Sequence, residues 1–72
     1  MVKVFKIEDL ECAHCAAKMQ EAIQKLDGVH SATVSFLAEK ITVDIDEEIA
    51  EGLGKILNDI CKKIEPDCNV IY

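Results

Sequence analysis

Seventy-two residues are enough for one small domain with a modest apolar core. Eight lysines against 14 acids, with no arginine, give a formal charge of -6, which argues against a phosphate backbone as partner and so against nucleic-acid binding. No run approaches the roughly 20 apolar residues of a membrane span and no basic, apolar leader opens the chain, so a soluble domain without membrane insertion is expected over residues 1–72.

Val2 to Glu8 reads as a strand, with Phe5 and Ile7 inward and Lys6 and Glu8 outward. Asp9 to Ala13 is a loop. From His14 to Leu26 the apolar residues Ala16, Met19, Ala22, Ile23 and Leu26 recur at three and four, an amphipathic helix face. Asp27-Gly28 stops it, Gly28 being suited to a left-handed cap. Val29 to Phe36 is a second strand, with Ala32, Val34 and Phe36 on one side. Leu37-Ala38-Glu39 leads to a third, where Ile41, Val43 and Ile45 alternate with Thr42 and Asp44. So short a connection favours an antiparallel hairpin.

Asp46, Glu47 and Glu48 are expected to open a second helix, their charges suiting its N-terminus. Ile49, Leu53, Ile56, Leu57, Ile60 and Ile64 form its stripe. Gly52 and Gly54 within it each cost about 1 kcal/mol relative to Ala, so packing must hold it. Pro66 ends it, and Cys68 to Tyr72 can make a fourth strand. The order βαββαβ predicts an α+β, ferredoxin-like sandwich: a four-stranded antiparallel sheet with two helices on one face. Right-handed crossovers then place the loop after the first strand and the loop after the second helix at one end of the sheet. Glu65, Pro66, Asp67 and Cys68 are thereby drawn toward Cys12.

The chemistry of the chain concentrates in Glu11-Cys12-Ala13-His14-Cys15-Ala16. Two residues between two cysteines let both thiolates hold one soft metal ion, or each other as a disulfide. A helix starting near Ala13 would aim its free N–H groups and positive dipole end at the sulfurs, favouring the thiolate. Spacing alone leaves a metal carrier, a redox site and half of a structural zinc site open. Two thiolates suit Cu(I) in near-linear geometry and can begin a tetrahedral shell for Zn(II) or Cd(II). Glu11 is a candidate oxygen ligand, set against an ordinary loop acid. His14 is a weaker candidate, needing its side chain to fold back. His30 lies at the far end of the first helix and receives no metal role. Cys61 and Met19 fit core positions on their helices. Cys68 has the parity of an inward strand residue, with a place near the converging loop as the alternative.

Without a leader and with so tight a pair, the thiols are expected to be reduced in the cytosol. The same architecture serves RNA recognition through exposed aromatics of the sheet, but only Phe5, Phe36 and Tyr72 are aromatic and no basic patch accompanies them. A dithiol redox enzyme of thioredoxin type would need another strand order and is a remote alternative.

The chain resembles the heavy-metal-associated domain, the βαββαβ module of soluble copper chaperones and of the N-termini of heavy-metal-transporting P-type ATPases. The likeness rests on Leu10-Glu11-Cys12-Ala13-His14-Cys15-Ala16, on Gly28-Val29 followed by Ala32-Thr33-Val34-Ser35-Phe36, and on Lys40-Ile41-Thr42-Val43. It implies one such domain over residues 1–72, non-enzymatic in itself and monomeric without metal, in which Cys12 and Cys15 bind one ion and pass it on by ligand exchange. The phrase Lys63-Ile64-Glu65-Pro66-Asp67, together with Leu10 and the acid Glu11 ahead of Cys12, is similar to the zinc- and cadmium-exporting branch. That branch implies Zn(II), Cd(II) or Pb(II), with Cu(I) possible, and a cytoplasmic domain tethered to a membrane transporter. Its partners would be the transport domains of a parent ATPase or a separate metal donor or acceptor. A free-standing chaperone of the same fold is the alternative.

Overall fold

The computed structural model describes all 72 residues. Strands β1 (Val2–Glu8), β2 (Val29–Ser35), β3 (Lys40–Ile45) and β4 (Asn69–Ile71) make one sheet in the order β2-β3-β1-β4. Every neighbouring pair is antiparallel. Helices α1 (Ala13–Gln24) and α2 (Leu53–Ile64) complete the ferredoxin-like βαββαβ order. Alternation along the strands decides which face the helices cover. Ile7, Ala32, Val34, Ile41, Val43, Ile45 and Val70 are buried, while Val2, Val4, Thr33 and Thr42 are exposed.

Helix α1 buries Ala16, Met19 and Ile23, spaced three and four apart as one helical face requires. Its last turn tightens through Lys25 and Leu26, whose N–H groups donate to the Ala22 and Ile23 carbonyls. Gly28 then takes φ 88°, a left-handed conformation. A Cβ there would also stand 2.9 Å from Ile49 Cδ1, so the backbone demands glycine and a larger residue would in addition push the Ile49 side chain aside.

The second helix differs from the expectation at its start. Glu47–Ile49 form a separate 3-10 turn, and α2 begins only at Leu53. Gly52 lies between them at φ 80°, where a continuous α-helix cannot pass. Ile49 therefore reaches the core from a turn, although its spacing fits the helical stripe. With the helix phased from Leu53, the buried line is Leu53, Leu57 and Cys61, and Ile56 is left 45% exposed on the shoulder. Gly54 sits inside α2 because the C-terminal segment crosses it: a Cβ would meet Tyr72 Cβ at 2.3 Å. At the other end Glu65 is extended, φ -133° and ψ 95°. Proline disfavours the α region for the residue before it, so Pro66 stops the helix at Ile64.

Both edge strands are tied to the helices by amide side chains. Gln20 Oε1 accepts from the Val34 N–H at 3.0 Å and Gln24 Nε2 donates to the Ala32 carbonyl at 2.9 Å. On β4, the Val70 N–H donates to Asn58 Oδ1 at 2.9 Å. These bonds satisfy backbone groups that an edge strand otherwise leaves open to pairing with another chain.

Pairing Lys6 with Lys40 and Glu8 with Asn69 brings three connections to the same end of the sheet. They are the loop after β1, the β2–β3 hairpin tip and the loop before β4. The cysteine pair stands at that end. His30, by contrast, bonds Asp46 at 2.6 Å where β2 begins and β3 ends, the opposite end of the sheet.

Candidate metal site

Leu10 is buried and Asp9 takes φ 61°, so the chain leaves β1 by a sharp, anchored turn. Cys12 follows as the N-cap of α1, with φ -135° and ψ 117°. Its carbonyl accepts from the Ala16 N–H at 3.1 Å, and its Sγ accepts from the Cys15 N–H at 3.3 Å. A sulfur thus does the work usually given to a Ser or Asp oxygen at a helix start. Cys15 lies in the first turn, and both side chains are half-buried.

The two thiols are not equivalent. Cys12 is held below the ordinary thiol range, chiefly because it accepts a hydrogen bond from the Cys15 side chain, and further because backbone N–H groups of Cys15 and His14 point at its sulfur. Cys15 is pushed up to about 11, first by acting as donor to Cys12, then by burial and the negative charges of Cys12 and Glu65. In the metal-free pair Cys12 is therefore the thiol that gives up its proton more readily, and Cys15 the one that keeps it.

The third group at this rim is Glu65. Its Oε2 accepts from Cys15 Sγ at 3.8 Å, across 50 residues of sequence. Glu65 is half-buried, on the extended link between α2 and Pro66. Topology brings this loop toward Cys12, but nothing local in the sequence marks Glu65 as a partner of Cys15. The only signal for it is the topology combined with a Glu fixed immediately before Pro66.

Glu11 and His14 are exposed. No three Cys, His, Asp or Glu side chains converge into a ready metal shell, so neither these two residues nor Glu65 is gathered with the cysteines into a preformed three-donor site. Cys68 is 0% exposed, inside the core beside Cys61, which is equally buried. It follows the strand-parity expectation, and it does not open onto the rim. Met19 is likewise a core residue. No helix is long and apolar enough to cross a membrane.

The family model described as "Heavy-metal-associated domain" matches residues 4–68. The chain is 40% identical over 45 residues to a zinc/cadmium/lead-transporting P-type ATPase of Escherichia coli, a match covering 62% of this chain and 6% of the pump. It is 30% identical over 64 residues to the copper chaperone CopZ of Enterococcus hirae, covering 89% of this chain and 86% of that protein. Among solved structures, the Cu(I)-loaded N-terminal domain of a potential copper-translocating P-type ATPase from Bacillus subtilis superposes with a TM-score of 0.74 at 28% identity. That superposition covers 96% of this chain and 81% of the other. The chain thus spans only a small fraction of the pumps it matches and most of the chaperone.

Proposed function

We propose, for a chain that belongs to the heavy-metal-associated domain family, that it takes up one soft or borderline ion on Cys12 and Cys15 and releases it to a partner by ligand exchange. The pair gives the domain the capacity to bind a soft metal ion, and family membership makes it a binding module rather than an enzyme. The observation that carries the transfer reading is the Cys15–Glu65 contact at the rim of a two-thiol site. Two thiolates are too few to close a tetrahedral Zn(II) shell, and such an open position is what an incoming ligand needs.

Glu65 suits the part of third donor better than Glu11, because its carboxylate already touches one of the two sulfurs. A carboxylate oxygen favours Zn(II) or Cd(II) and adds little to a two-coordinate Cu(I) site. Divalent cargo is accordingly the reading for this site, with Cu(I) accepted by the thiolates alone. Exchange would begin at the oxygen: a partner thiolate replaces the Glu65 carboxylate first, then Cys15 and Cys12 in turn.

A small carrier of the chaperone type is favoured over a pump domain by the extent of the likeness. It runs through 89% of this chain for the enterococcal chaperone and 62% for the E. coli pump. The second reading, a metal-binding domain of a zinc- or cadmium-transporting ATPase, is supported by the 40% identity to the E. coli pump over 45 residues, a figure matched by a staphylococcal copper chaperone. In either setting the partner is a protein of metal transport.

The test is metal stoichiometry with X-ray absorption. One Zn(II) per monomer with roughly two sulfurs at about 2.3 Å and shorter O/N scatterers is expected. Cys12→Ser or Cys15→Ser should abolish tight binding while the fold persists, since the serine at position 12 can still cap α1. A four-sulfur shell would overturn the two-cysteine site. The carrier reading further requires the loaded protein to surrender its ion to a separate apo acceptor faster than to a chelator of equal affinity.

A further inference from the structure

Half of the chain's cysteines lie outside the metal site. Cys61 is in the last two turns of α2 and Cys68 immediately precedes β4, and both are 0% exposed within the same apolar core. Helix phase brings one inward and strand parity the other. The backbone between them is folded tightly. The Glu65 N–H donates to the Cys61 carbonyl at 2.8 Å, and the Cys68 N–H donates to the Glu65 carbonyl at 3.1 Å. Each cysteine is among the groups that shift the other's proton affinity, so the two thiols are neighbours in the core.

We infer that Cys61 and Cys68 are a second dithiol, distinct from the metal pair, which closes to a disulfide tying the end of α2 to β4.

The surroundings select this chemistry over a second metal ion. A metal on two thiolates would place charge in the apolar core, where burial already drives both thiols toward the protonated form. A disulfide is neutral and needs only that the sulfurs approach. Access comes from the last strand, three residues long at the sheet edge, whose local opening uncovers Val70 and the adjoining Cys68. The oxidant is a low-molecular-weight disulfide such as oxidised glutathione. The Cys68 thiolate attacks one of its sulfurs, expelling one glutathione thiolate, which takes up the proton Cys68 lost. The Cys61 thiolate then attacks the Cys68 sulfur of the mixed disulfide and expels the second glutathione, which gains the Cys61 proton. One disulfide is thus exchanged for another, and two thiols become two thiols. The ring closed in this way contains Glu65. The bond itself depends on nothing assumed about metal.

The experiment uses Cys12→Ser/Cys15→Ser, which leaves only the inner pair. The protein is equilibrated with glutathione buffers of graded potential, quenched in acid, unfolded and alkylated for intact mass. The expected product has lost two hydrogens, takes up no alkylating reagent, and unfolds at a higher temperature than the reduced protein. Adding Cys61→Val should halt the reaction at a stable glutathione adduct on Cys68. An adduct that persists while Cys61 is present would overturn the inference. So would two free thiols even in fully oxidised buffer, or an intramolecular disulfide that lowers the unfolding temperature.

Discussion

The Cys15 Sγ and the Glu65 Oε2 stand 3.8 Å apart although fifty positions separate them in the chain. The contact exists because β1 and β4 pair Glu8 with Asn69, which lays the end of α2 beside the start of α1. A half-buried carboxylate next to a thiol raises the thiol's affinity for its proton in the free protein, yet once an ion replaces that proton the same charge becomes favourable. The arrangement costs little when a cation is present.

Glu65→Ala should therefore weaken Zn(II) and Cd(II) binding by about ten- to hundredfold, the usual cost of losing a group that supports a metal site. Cu(I) affinity should change far less. Glu11→Ala, acting on an exposed side chain, should change both ions little. Competition against calibrated chelators with each ion gives these losses. Equal losses in Glu65→Ala for both ions would mean that the residue acts through charge or loop structure and not as a donor.

The two site thiols should be distinguishable by reactivity. Cys12, whose proton is loosened by donors from Cys15 and His14, should be alkylated before Cys15 as pH rises. Cys15, pushed up to about 11, should follow only at strongly alkaline pH or after Cys12 is removed. Lowering the pH slows Cys12 alkylation by refilling its proton. Peptide mapping across a pH series reads both rates, and faster modification of Cys15 would contradict the assigned pattern. By the same linkage, metal uptake at neutral pH should release the Cys15 proton.

Much of this domain can be read directly from its residues. Alternation in Ile41-Thr42-Val43-Asp44-Ile45 and the spacing of Ala16, Met19 and Ile23 give the strands and α1 their faces, because each element here has only one buried side. The start of α2 escapes that logic. Ile49 keeps helical spacing to Leu53, but Gly52 takes a left-handed conformation that periodicity cannot register. The Cys12–Cys15 pair is local and therefore legible. The roles of Glu65 and Cys68 depend on contacts between elements, so they emerge only once the last loop is laid against the first helix.

Stability should fall in alkali because of the inner thiols, and the sign follows from proton counts. Burial pushes Cys61 up to about 12, whereas an unfolded thiol titrates at about 8.5. Below that lower value both states carry the proton and stability is unaffected. Between the two values the unfolded chain has lost a proton that the native chain keeps, so stability declines as pH rises. Cys68 is shifted in the same direction, also mainly by burial. Urea unfolding under reducing conditions from pH 8 upward should show a steeper decline for wild type than for Cys61→Val, which fills the site without an ionisable group. Parallel declines would mean that Cys61 does not carry the effect and that the remaining raised thiols, Cys15 and Cys68, account for it.

Gly54 and Tyr72 provide a test of packing that is independent of the metal. An alanine at position 54 would put its Cβ 2.3 Å from Tyr72 Cβ and 2.5 Å from Cγ. These are the base of the side chain and not its mobile end, so the C-terminal segment must move. Gly54→Ala should destabilise by about 1–3 kcal/mol, the usual range for overpacking. Helix propensity alone would make the same change favourable by about 1 kcal/mol, so the sign of the measured effect decides which force governs the site. Tyr72→Gly removes both obstructing atoms, and in that background Gly54→Ala should become neutral or stabilising. The double-mutant cycle by urea denaturation then gives a coupling energy of the size expected for touching residues. Additive effects would show that Tyr72 does not rest on α2.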